Sequence, residues 1–423
     1  MQQIAAAAAL PGAETMWVVT ILFVLTYVLI VTDRINRSII AMLGAGAMVV
    51  SGVLSQDEAI RGIDFNTIAL LTGMMVLVAI ARRCGGDLLH ARSFLLPIVP
   101  PDRNGIGHPS VEQRNLGRSG LIVSAVGLGC NNFGGRIDYA ATRAVVHKAL
   151  DLGITFFDTS DTYGESGGSE EQLGRALAGR RHEIVLASKF ARPMDREGRL
   201  QGASRHYIMS AVEASLKRLN TDYIDLYQQH IADPKTPIEE TLRALDDLVQ
   251  QGKVRYIGCS TLSAWQVVEA QWVSTHLGLQ RYVSCQERYS LIDRDLDRDL
   301  MPVIESYGLG LIPFSPLADG LLTGKYRRNA PMPADARLTT TPRAAERRLT
   351  ERNWAVVERL SDFCEARGHD LLELALSWLL HRPRVASVIA GATSAAQVEA
   401  NFRAASWALS REDMDEIDRL TAD

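Results

Sequence analysis

The sequence predicts an α/β protein, namely a (β/α)8 barrel preceded by about three transmembrane helices. Two observations carry this prediction. The first part of the chain is strongly apolar and contains no lysine, since the first lysine is Lys148. From about Gln113 onward, short apolar segments alternate with longer amphipathic ones. We therefore expect a membrane segment over residues 1–83, a linker over 84–112 and a barrel over 113–423.

The overall composition excludes some classes of protein and hides a division in the chain. The 423 residues carry a net charge of −4, so no excess of lysine and arginine is available to neutralise nucleic-acid phosphates. The five cysteines are far apart and lack C-x-x-C spacing, which disfavours a disulfide framework and a structural zinc site. A mean hydropathy of 0.00 is consistent with an average over two unlike parts.

Three apolar runs form the N-terminal element, over residues 16–32, 38–54 and 67–81. Each run is close to the lower length limit for a membrane-spanning helix. Buried core helices are the alternative, but three such runs in succession are unusual for a globular domain. A signal peptide is disfavoured because residues 1–14 contain no lysine or arginine and because two further runs follow.

The distribution of arginine predicts the orientation of this segment. Residues 33–37 and 82–92 are arginine-rich, whereas residues 55–66 are mainly acidic. With three spans, the two basic segments lie on one side, which the positive-inside rule makes cytoplasmic. The barrel would then be cytoplasmic, with membrane association through residues 16–81.

The run GIDFNTIALLTGMMVLVAIARRCG, residues 62–85, resembles the N-terminal end of the arsenite/citrate-type ion transporter superfamily. The resemblance includes only the first few of that family's helices, so transport by this chain alone is not expected. A gene fusion or a reading-frame error would also produce such an abrupt join. Several prolines and glycines then break any periodic pattern over residues 84–112, as expected of a linker.

The barrel elements follow in regular order after a predicted hairpin around Ser119 and Gly120, which would close the bottom of the barrel. The strands are predicted at residues 125–130, 154–160, 183–189, 223–230, 255–260, 282–287, 310–316 and 386–393. The helices are predicted at residues 139–153, 169–179, 204–220, 237–252, 263–277, 300–308 and 353–383. A doubly wound sheet is the alternative, but no G-x-G-x-x-G follows the first strand.

Chemically useful side chains stand at the carboxyl ends of adjacent strands, where barrel enzymes place their active sites. Asp158 and Tyr163 follow the second strand, Lys189 ends the third and His230 ends the fourth. An ammonium near Tyr163 would lower its phenol pKa, and Asp158 would keep that ammonium charged. A neutral His230 can orient a carbonyl oxygen toward Tyr163. A structural Asp–Lys salt bridge is the alternative for that pair alone, but the four residues together favour carbonyl reduction.

Several long motifs resemble the aldo-keto reductase family from about Gln113 to the C-terminus. They include FFDTSDTYGESGGSEEQLGRAL, LASKF, DLYQQHIADP, GKVRYIGCST and GLIPFSPLADGLLTGKY. The resemblance implies a catalytic tetrad of Asp158, Tyr163, Lys189 and His230, with Tyr163 as proton donor. It also implies NADPH binding without a Rossmann fold, to these positions: Ser260, Gln286, Phe314, Ser315, Leu317, Ala318, Lys325, Arg337, Gly391, Thr393, Gln397 and Asn401.

Three positions depart from the family pattern. Thr261 stands where many members have Asn, Thr393 where many have Arg, and Ala400 where some have an acid. The second departure removes a bidentate partner for the 2′-phosphate. NADPH is still the expected cofactor, because Lys325, Arg337 and Ser394 can contact a phosphate, and NADH is the alternative.

The leading hypothesis is an NAD(P)H-dependent oxidoreductase that reduces a small-molecule aldehyde or ketone. The alternative is a membrane-tethered redox sensor, since some members of this family are cytoplasmic channel subunits that bind cofactor and turn over slowly. No metal and no nucleic-acid partner is expected. The sequence identifies neither the substrate nor the oligomeric state.

Overall fold

The computed structural model describes Val111 to Ala422 except Asp335, together with Trp17, Thr20, residues 24–26 and Ala47. The chain divides into two units, Met1–Gly105 and Ile106–Asp423. The predicted membrane runs and most of the predicted linker lie outside the described residues, so their limits stay predictions. Within the described part of the chain, no helix is long and apolar enough to cross a membrane.

An eight-stranded parallel sheet forms the body of the second unit, after a short hairpin of β1 (Gln113–Asn115) and β2 (Ile122–Ser124). Its strands are β3 (Val126–Gly129), β4 (Phe156–Asp158), β5 (Val185–Phe190), β6 (Ile224–Gln229), β7 (Val254–Ser260), β8 (Ser284–Arg288), β9 (Gly310–Phe314) and β10 (Val388–Gly391). The strands pair in chain order, and β10 pairs with β3. A parallel bridge between Leu311 and Val385 joins the remaining edges. The predicted eight-stranded barrel is therefore present, with every strand at its predicted place.

The hairpin closes the bottom of the barrel, as predicted. Inward-facing residues of five strands pack against Leu116 and Val123 of the hairpin in one buried cluster. Gly117, at the turn, has a φ of +62° and no room for a side chain, because a Cβ would lie 2.5 Å from the amide nitrogen of Gly310. The close approach of hairpin and barrel therefore requires glycine there.

Helices surround the sheet and cover its outer face. They are α1 (Tyr139–Asp151), α2 (Tyr163–Ala176), α3 (Arg205–Leu219), α4 (Ile238–Gln250), α5 (Ala264–Leu277), α6 (Leu296–Tyr307), α7 (Arg337–Thr340), α8 (Pro342–Arg348), α9 (Glu351–Glu365), α10 (Leu371–His381), α11 (Ala395–Ala404) and α12 (Arg411–Thr421). The helix α4 shows why they pack: Leu242, Leu245 and Leu248 recur at helical spacing and are buried.

Two features of the helices differ from the prediction. The single helix predicted over residues 353–383 is two helices, because Gly368 adopts a φ of 72° and Asp370 starts a new capping box with Glu373. The second difference is in the long loop after β9, where no helix was predicted. It contains a 3-10 turn at Ala318–Thr323 and the short helices α7 and α8.

Candidate active site

The carboxyl ends of β4, β5 and β6 bring the four predicted catalytic residues together. Asp158 is the last residue of β4, Lys189 lies near the end of β5, and His230 directly follows β6. Tyr163 begins α2, which follows β4. Parallel pairing in chain order places these positions at one rim of the barrel.

Lys189 is the centre of this group and is completely buried. Its Nζ lies 2.6 Å from Asp158 Oδ2, 2.8 Å from the Thr159 carbonyl oxygen and 3.4 Å from the Tyr163 hydroxyl. Burial lowers the pKa of Lys189. The negative charge and hydrogen bond of Asp158 act in the opposite direction, and the net pKa lies above its ordinary value. Lys189 is therefore an ammonium at neutral pH.

The second carboxylate oxygen of Asp158 accepts two amide hydrogen bonds. Gln228 Nε2 donates at 3.1 Å and Gln286 Nε2 at 2.8 Å. Gln286 was predicted to bind the cofactor, and here its amide nitrogen donates to Asp158. Gln228 was not predicted, although a glutamine inside the apolar strand segment IDLYQQ is a detectable signal. All of these groups are buried, which fixes Asp158 in one orientation.

The pKa of Tyr163 corrects one expectation. Burial raises this pKa, and the Lys189 charge lowers it by less, so the net pKa lies above its ordinary value of 10.0. The lowering expected from the ammonium is present but is outweighed by desolvation. Tyr163 is consequently a protonated phenol at neutral pH, which is the form that can donate a proton.

His230 stands beside Tyr163, with ring centroids 5.8 Å apart in an edge-to-face arrangement. Burial and then the charges of Lys189 and Arg192 lower the pKa of His230 to about 2. Its Nδ1 lies 3.1 Å from Ser160 Oγ. The imidazole is therefore neutral, in line with the role expected of it.

A strained turn follows Tyr163. Gly164, Glu165, Ser166 and Gly167 all have φ between 61° and 119°. Glu165 and Ser166 are not glycine, so this left-handed run is costly and must be held by its surroundings. The regular helix starts after this run, close to the predicted start at residue 169. The turn fixes where the chain places the Tyr163 hydroxyl.

A cavity of about 840 Å³ opens above these residues. Asp158, Tyr163 and His230 line it, whereas Lys189 is not among the lining residues. Eleven predicted cofactor positions also line it: Ser260, Gln286, Phe314, Ser315, Leu317, Lys325, Arg337, Gly391, Thr393, Gln397 and Asn401. The twelfth, Ala318, is fully buried and not among the lining residues. The volume is in the usual range for a small-molecule site, about 300–1,000 Å³.

The cavity wall carries more positive charge than the sequence indicated. Its acidic members are Asp158 and Asp319, against six cationic residues: Arg136, Arg192, Arg288, Lys325, Arg337 and Arg347. Four of these arginines were not predicted. Arg136 and Arg192 lie in loops, where no pattern marks them, whereas Arg288 ends β8 and Arg347 lies in α8. Among the described residues, no cluster of histidine, cysteine and carboxylate side chains is suited to a metal ion.

Asp319 contacts three guanidinium groups, including that of the predicted cofactor residue Arg337. Its carboxylate lies 3.3 Å from Arg337, 2.8 Å from Arg347 and 2.9 Å from Arg348. Burial raises the pKa of Asp319, but the hydrogen bonds of Arg348 and Arg347 lower it more, so that the net pKa lies below its ordinary value. Arg337 lines the cavity and is ion-paired within its own loop, so its predicted contact with the cofactor stays a prediction.

Two of the departing positions also have defined partners. Thr261 Oγ1 donates to the His230 carbonyl at 2.8 Å, which ties β7 to the catalytic strand end. The amide and hydroxyl of Thr393 both donate to Gln397 Oε1. Ser394 caps α11, whose amino end faces the cavity and favours an anion there.

The barrel matches the sequence profile of the Aldo/keto reductase family over residues 125–422. Over residues 27–92, the chain instead matches the Citrate transporter family, in agreement with the resemblance of its N-terminal run.

Individual relatives align with the barrel. The chain is 36% identical over 338 residues to L-glyceraldehyde 3-phosphate reductase from Escherichia coli O157:H7, covering 77% of this chain and 96% of that protein. It is 36% identical over 305 residues to a probable voltage-gated potassium channel subunit beta from Oryza sativa subsp. japonica, covering 70% and 91%. It is also 36% identical over 312 residues to an uncharacterized oxidoreductase, YrpG, from Bacillus subtilis (strain 168), covering 71% and 93%. The chain therefore belongs to the aldo/keto reductase family and is an oxidoreductase.

Proposed function

We propose that this protein reduces an aldehyde or ketone to an alcohol with NADPH, and that Tyr163 donates the proton. The observation that carries the proposal is the hydrogen-bonded set at the strand ends, in which a buried Lys189 ammonium lies 3.4 Å from the Tyr163 hydroxyl. A protonated phenol and a neutral imidazole face one cavity there.

The cavity suits a dinucleotide cofactor in charge and shape. Arg288 lines it, and its Nη1 is buried without a hydrogen-bond partner, as expected of a donor that awaits an anion. Lys325 lines it too and forms no ion pair with any described residue. Together with the amino end of α11, these groups would hold the phosphates. Phe314 supplies an aromatic surface for the nicotinamide ring.

NADPH is proposed over NADH because cationic side chains remain for a 2′-phosphate, although Thr393 is not one of them. Lys325 and Ser394 are the proposed contacts for this group. The ratio of kcat/KM for NADPH to that for NADH tests this choice, and a ratio below one would contradict it.

The residues of the chain account for the proton chemistry. When bound, the nicotinamide supplies the hydride. His230 donates a hydrogen bond from Nε2 to the carbonyl oxygen and directs it toward the Tyr163 hydroxyl. Tyr163 gives its proton to that oxygen as negative charge develops. The resulting phenolate is stabilised by the Lys189 ammonium, which Asp158 holds charged and oriented.

Replacing Tyr163 with Phe tests the acid role. We expect kcat to fall by about 10²–10⁴-fold, the usual contribution of general acid catalysis, while NADPH binding persists. Steady-state NADPH oxidation with an aromatic aldehyde and calorimetric titration of NADPH measure the two effects. Tyr307→Phe is the control, because Tyr307 is partly exposed on α6. Full activity of Tyr163→Phe would remove Tyr163 from the mechanism.

A second candidate function is a cofactor-binding redox sensor at a membrane. It is supported by the similarity to a probable channel subunit and by the transporter-family match over residues 27–92. In this proposal, residues 16–81 associate with the membrane and the barrel is cytoplasmic. Full-length protein that resists alkaline extraction from membranes, retains its cofactor and turns over negligibly would favour it. Rapid multiple turnover would favour the reductase.

A further inference from the structure

Arg192 is a cation in the cavity wall that lacks a partner. It lies two residues after the end of β5 and lines the cavity together with Tyr163 and His230. It forms no ion pair and no hydrogen bond with any residue in the described part of the chain. Its positive charge lowers the pKa of His230, which indicates that the guanidinium lies close to the catalytic side chains.

The backbone before Arg192 is strained. Ala191 is buried and has a φ of 94°, a conformation that is costly for a residue with a Cβ. Its carbonyl oxygen accepts a hydrogen bond from the Gly202 amide at 2.9 Å, which ties the two ends of the loop together. The loop is therefore strained at Ala191, the residue that sets the position of the Arg192 backbone.

The carboxylates of this loop region are engaged elsewhere. Asp195 Oδ1 accepts hydrogen bonds from the amides of Arg199 and Leu200. Asp233 accepts from the Ala203 amide and the Thr236 hydroxyl. Neither acid forms an ion pair with Arg192. A cation at a cavity wall with no internal counter-ion is suited to an anion from outside the chain.

The other cations of the cavity have a different position. Arg337 and Arg347 are paired with Asp319 in the loop after β9. Burial and then the charge of Arg136 lower the pKa of Lys325, and both of these cations line the cavity. Arg192 instead follows β5, the strand that carries Lys189. Arg288 and Lys325 are the cations proposed for the cofactor phosphates, which leaves Arg192 for the substrate.

We propose that Arg192 binds an anionic group of the substrate, so that the preferred substrates are aldehydes or ketones that also carry a carboxylate or a phosphate. This inference rests on the proposed reductase function. The planar guanidinium can hold either anion through two parallel hydrogen bonds. Arg192 thereby determines specificity, whereas Tyr163 and His230 act on the carbonyl that all candidate substrates share.

Matched substrate pairs isolate the charge. 4-Carboxybenzaldehyde and methyl 4-formylbenzoate share the ring and the formyl group, but only the first is anionic at neutral pH. Glycolaldehyde phosphate and glycolaldehyde form the corresponding pair for phosphate. The larger preference of the two pairs shows which anion the site prefers. The full-length protein is assayed with NADPH as wild type, Arg192→Gln and Arg192→Lys.

Arg196→Gln is the matched control, because Arg196 lies in the same loop and is exposed, as Arg192 is, but does not line the cavity. Wild type should have a higher kcat/KM for the anionic member of at least one pair. Arg192→Gln should lower that value by about 10- to 100-fold, as expected for the loss of a charge-assisted hydrogen bond, and leave the neutral member nearly unchanged. Arg192→Lys should restore part of the preference. Added salt should weaken the preference in wild type.

Equal kcat/KM for both members of each pair, or an equal loss on both in Arg192→Gln, would overturn the inference while the reductase function stands. If wild type reduces none of the four compounds, the proposed function fails. Calorimetric titration with terephthalate, an anion that is not a carbonyl substrate, then decides the site by itself. Weaker binding to Arg192→Gln than to Arg196→Gln supports the anion site, and equal binding overturns it.

Discussion

Asp158 and Asp319 are the two carboxylates of the cavity wall, and they are held in different ways. Asp158 ends a strand and contacts one ammonium and two amides, which come from three other strands of the barrel, β5, β6 and β8. Asp319 lies in a loop with a φ of 59° and contacts three guanidinium groups of that same loop region. The sheet positions Asp158, whereas Asp319 itself holds the arginines of its loop in place.

This difference separates two tasks of the site. The hydrogen bonds between parallel strands fix the strand ends. In the backbone register, Asp158 lies opposite Ala187 and Lys189 lies opposite Gln228. Groups that must be placed accurately for chemistry benefit from such a frame. The described residues of the loop after β9 form no β-sheet hydrogen bonds, and the ion pairs of Asp319 hold the loop together instead. Removing one carboxylate should therefore damage chemistry, and removing the other should damage closure over the cofactor.

The largest effect is expected for Asp158→Asn. The buried Lys189 would lose its counter-charge, and the Tyr163 phenolate would lose a correctly held ammonium. We expect kcat to fall by at least about 100-fold and the free energy of unfolding to fall by about 3 kcal/mol, the usual cost of breaking a buried ion pair. Steady-state turnover and urea unfolding measure these effects.

The control for this change is Asp222→Asn, since Asp222 is exposed and does not line the cavity. Near-normal turnover of Asp158→Asn would show that Lys189 stays charged without its partner and that the rigid frame alone is sufficient.

A smaller effect, on a different quantity, is expected for Asp319→Asn. Three guanidinium groups would lose their common partner, so the loop should hold the cofactor less well. We expect the Kd for NADPH to rise about 10-fold, equivalent to about 1.4 kcal/mol, with kcat at saturation little changed. Calorimetry and turnover at saturating NADPH separate the two. A fall in kcat with an unchanged Kd for NADPH would contradict the separate roles of Asp158 and Asp319.

The smallest effect is expected for a third carboxylate, Asp161, which contacts no cation. Burial, and then the charge of Glu170, raise its pKa to about 7, against an ordinary value of 3.8. The unfolded chain therefore loses this proton at lower pH than the folded chain does. The stabilising contribution of the protonated form is present in acid and is lost as the pH rises from about 4 to about 7.

Asp161→Asn removes this titration while Ser160 can still donate to the remaining carbonyl oxygen. We expect the variant to be more stable than wild type at pH 8, where wild-type Asp161 must carry a buried charge, and the gain to be smaller at pH 5. Thermal unfolding across this pH range measures it. A gain that is the same at both pH values would show that Asp161 does not titrate between them.

The comparison also shows how far the sequence can predict the site. The four strand-end residues were predictable because parallel strands bring their carboxyl ends together, whatever the side chains do. The Asp319 cluster was not, because Arg347 and Arg348 reach it across a loop whose path no periodic pattern describes. The sign of the Tyr163 pKa shift was also missed. The nearby charges could be inferred from the sequence, but the degree of burial that outweighs them could not.

The pairing of β10 with β3 has a consequence for synthesis. The chain leaves the ribosome from its amino end, so β3 to β6, with the four predicted catalytic residues, are made before the other strands of the barrel. The strand β3 lacks this partner until β10 is made, because Val126 pairs with Val388 near the carboxyl end of the chain. Until that strand arrives, one edge of the nascent sheet is open to other chains. The last strand therefore does more than complete the proposed cofactor site, because it also removes the edge through which unfinished copies would aggregate.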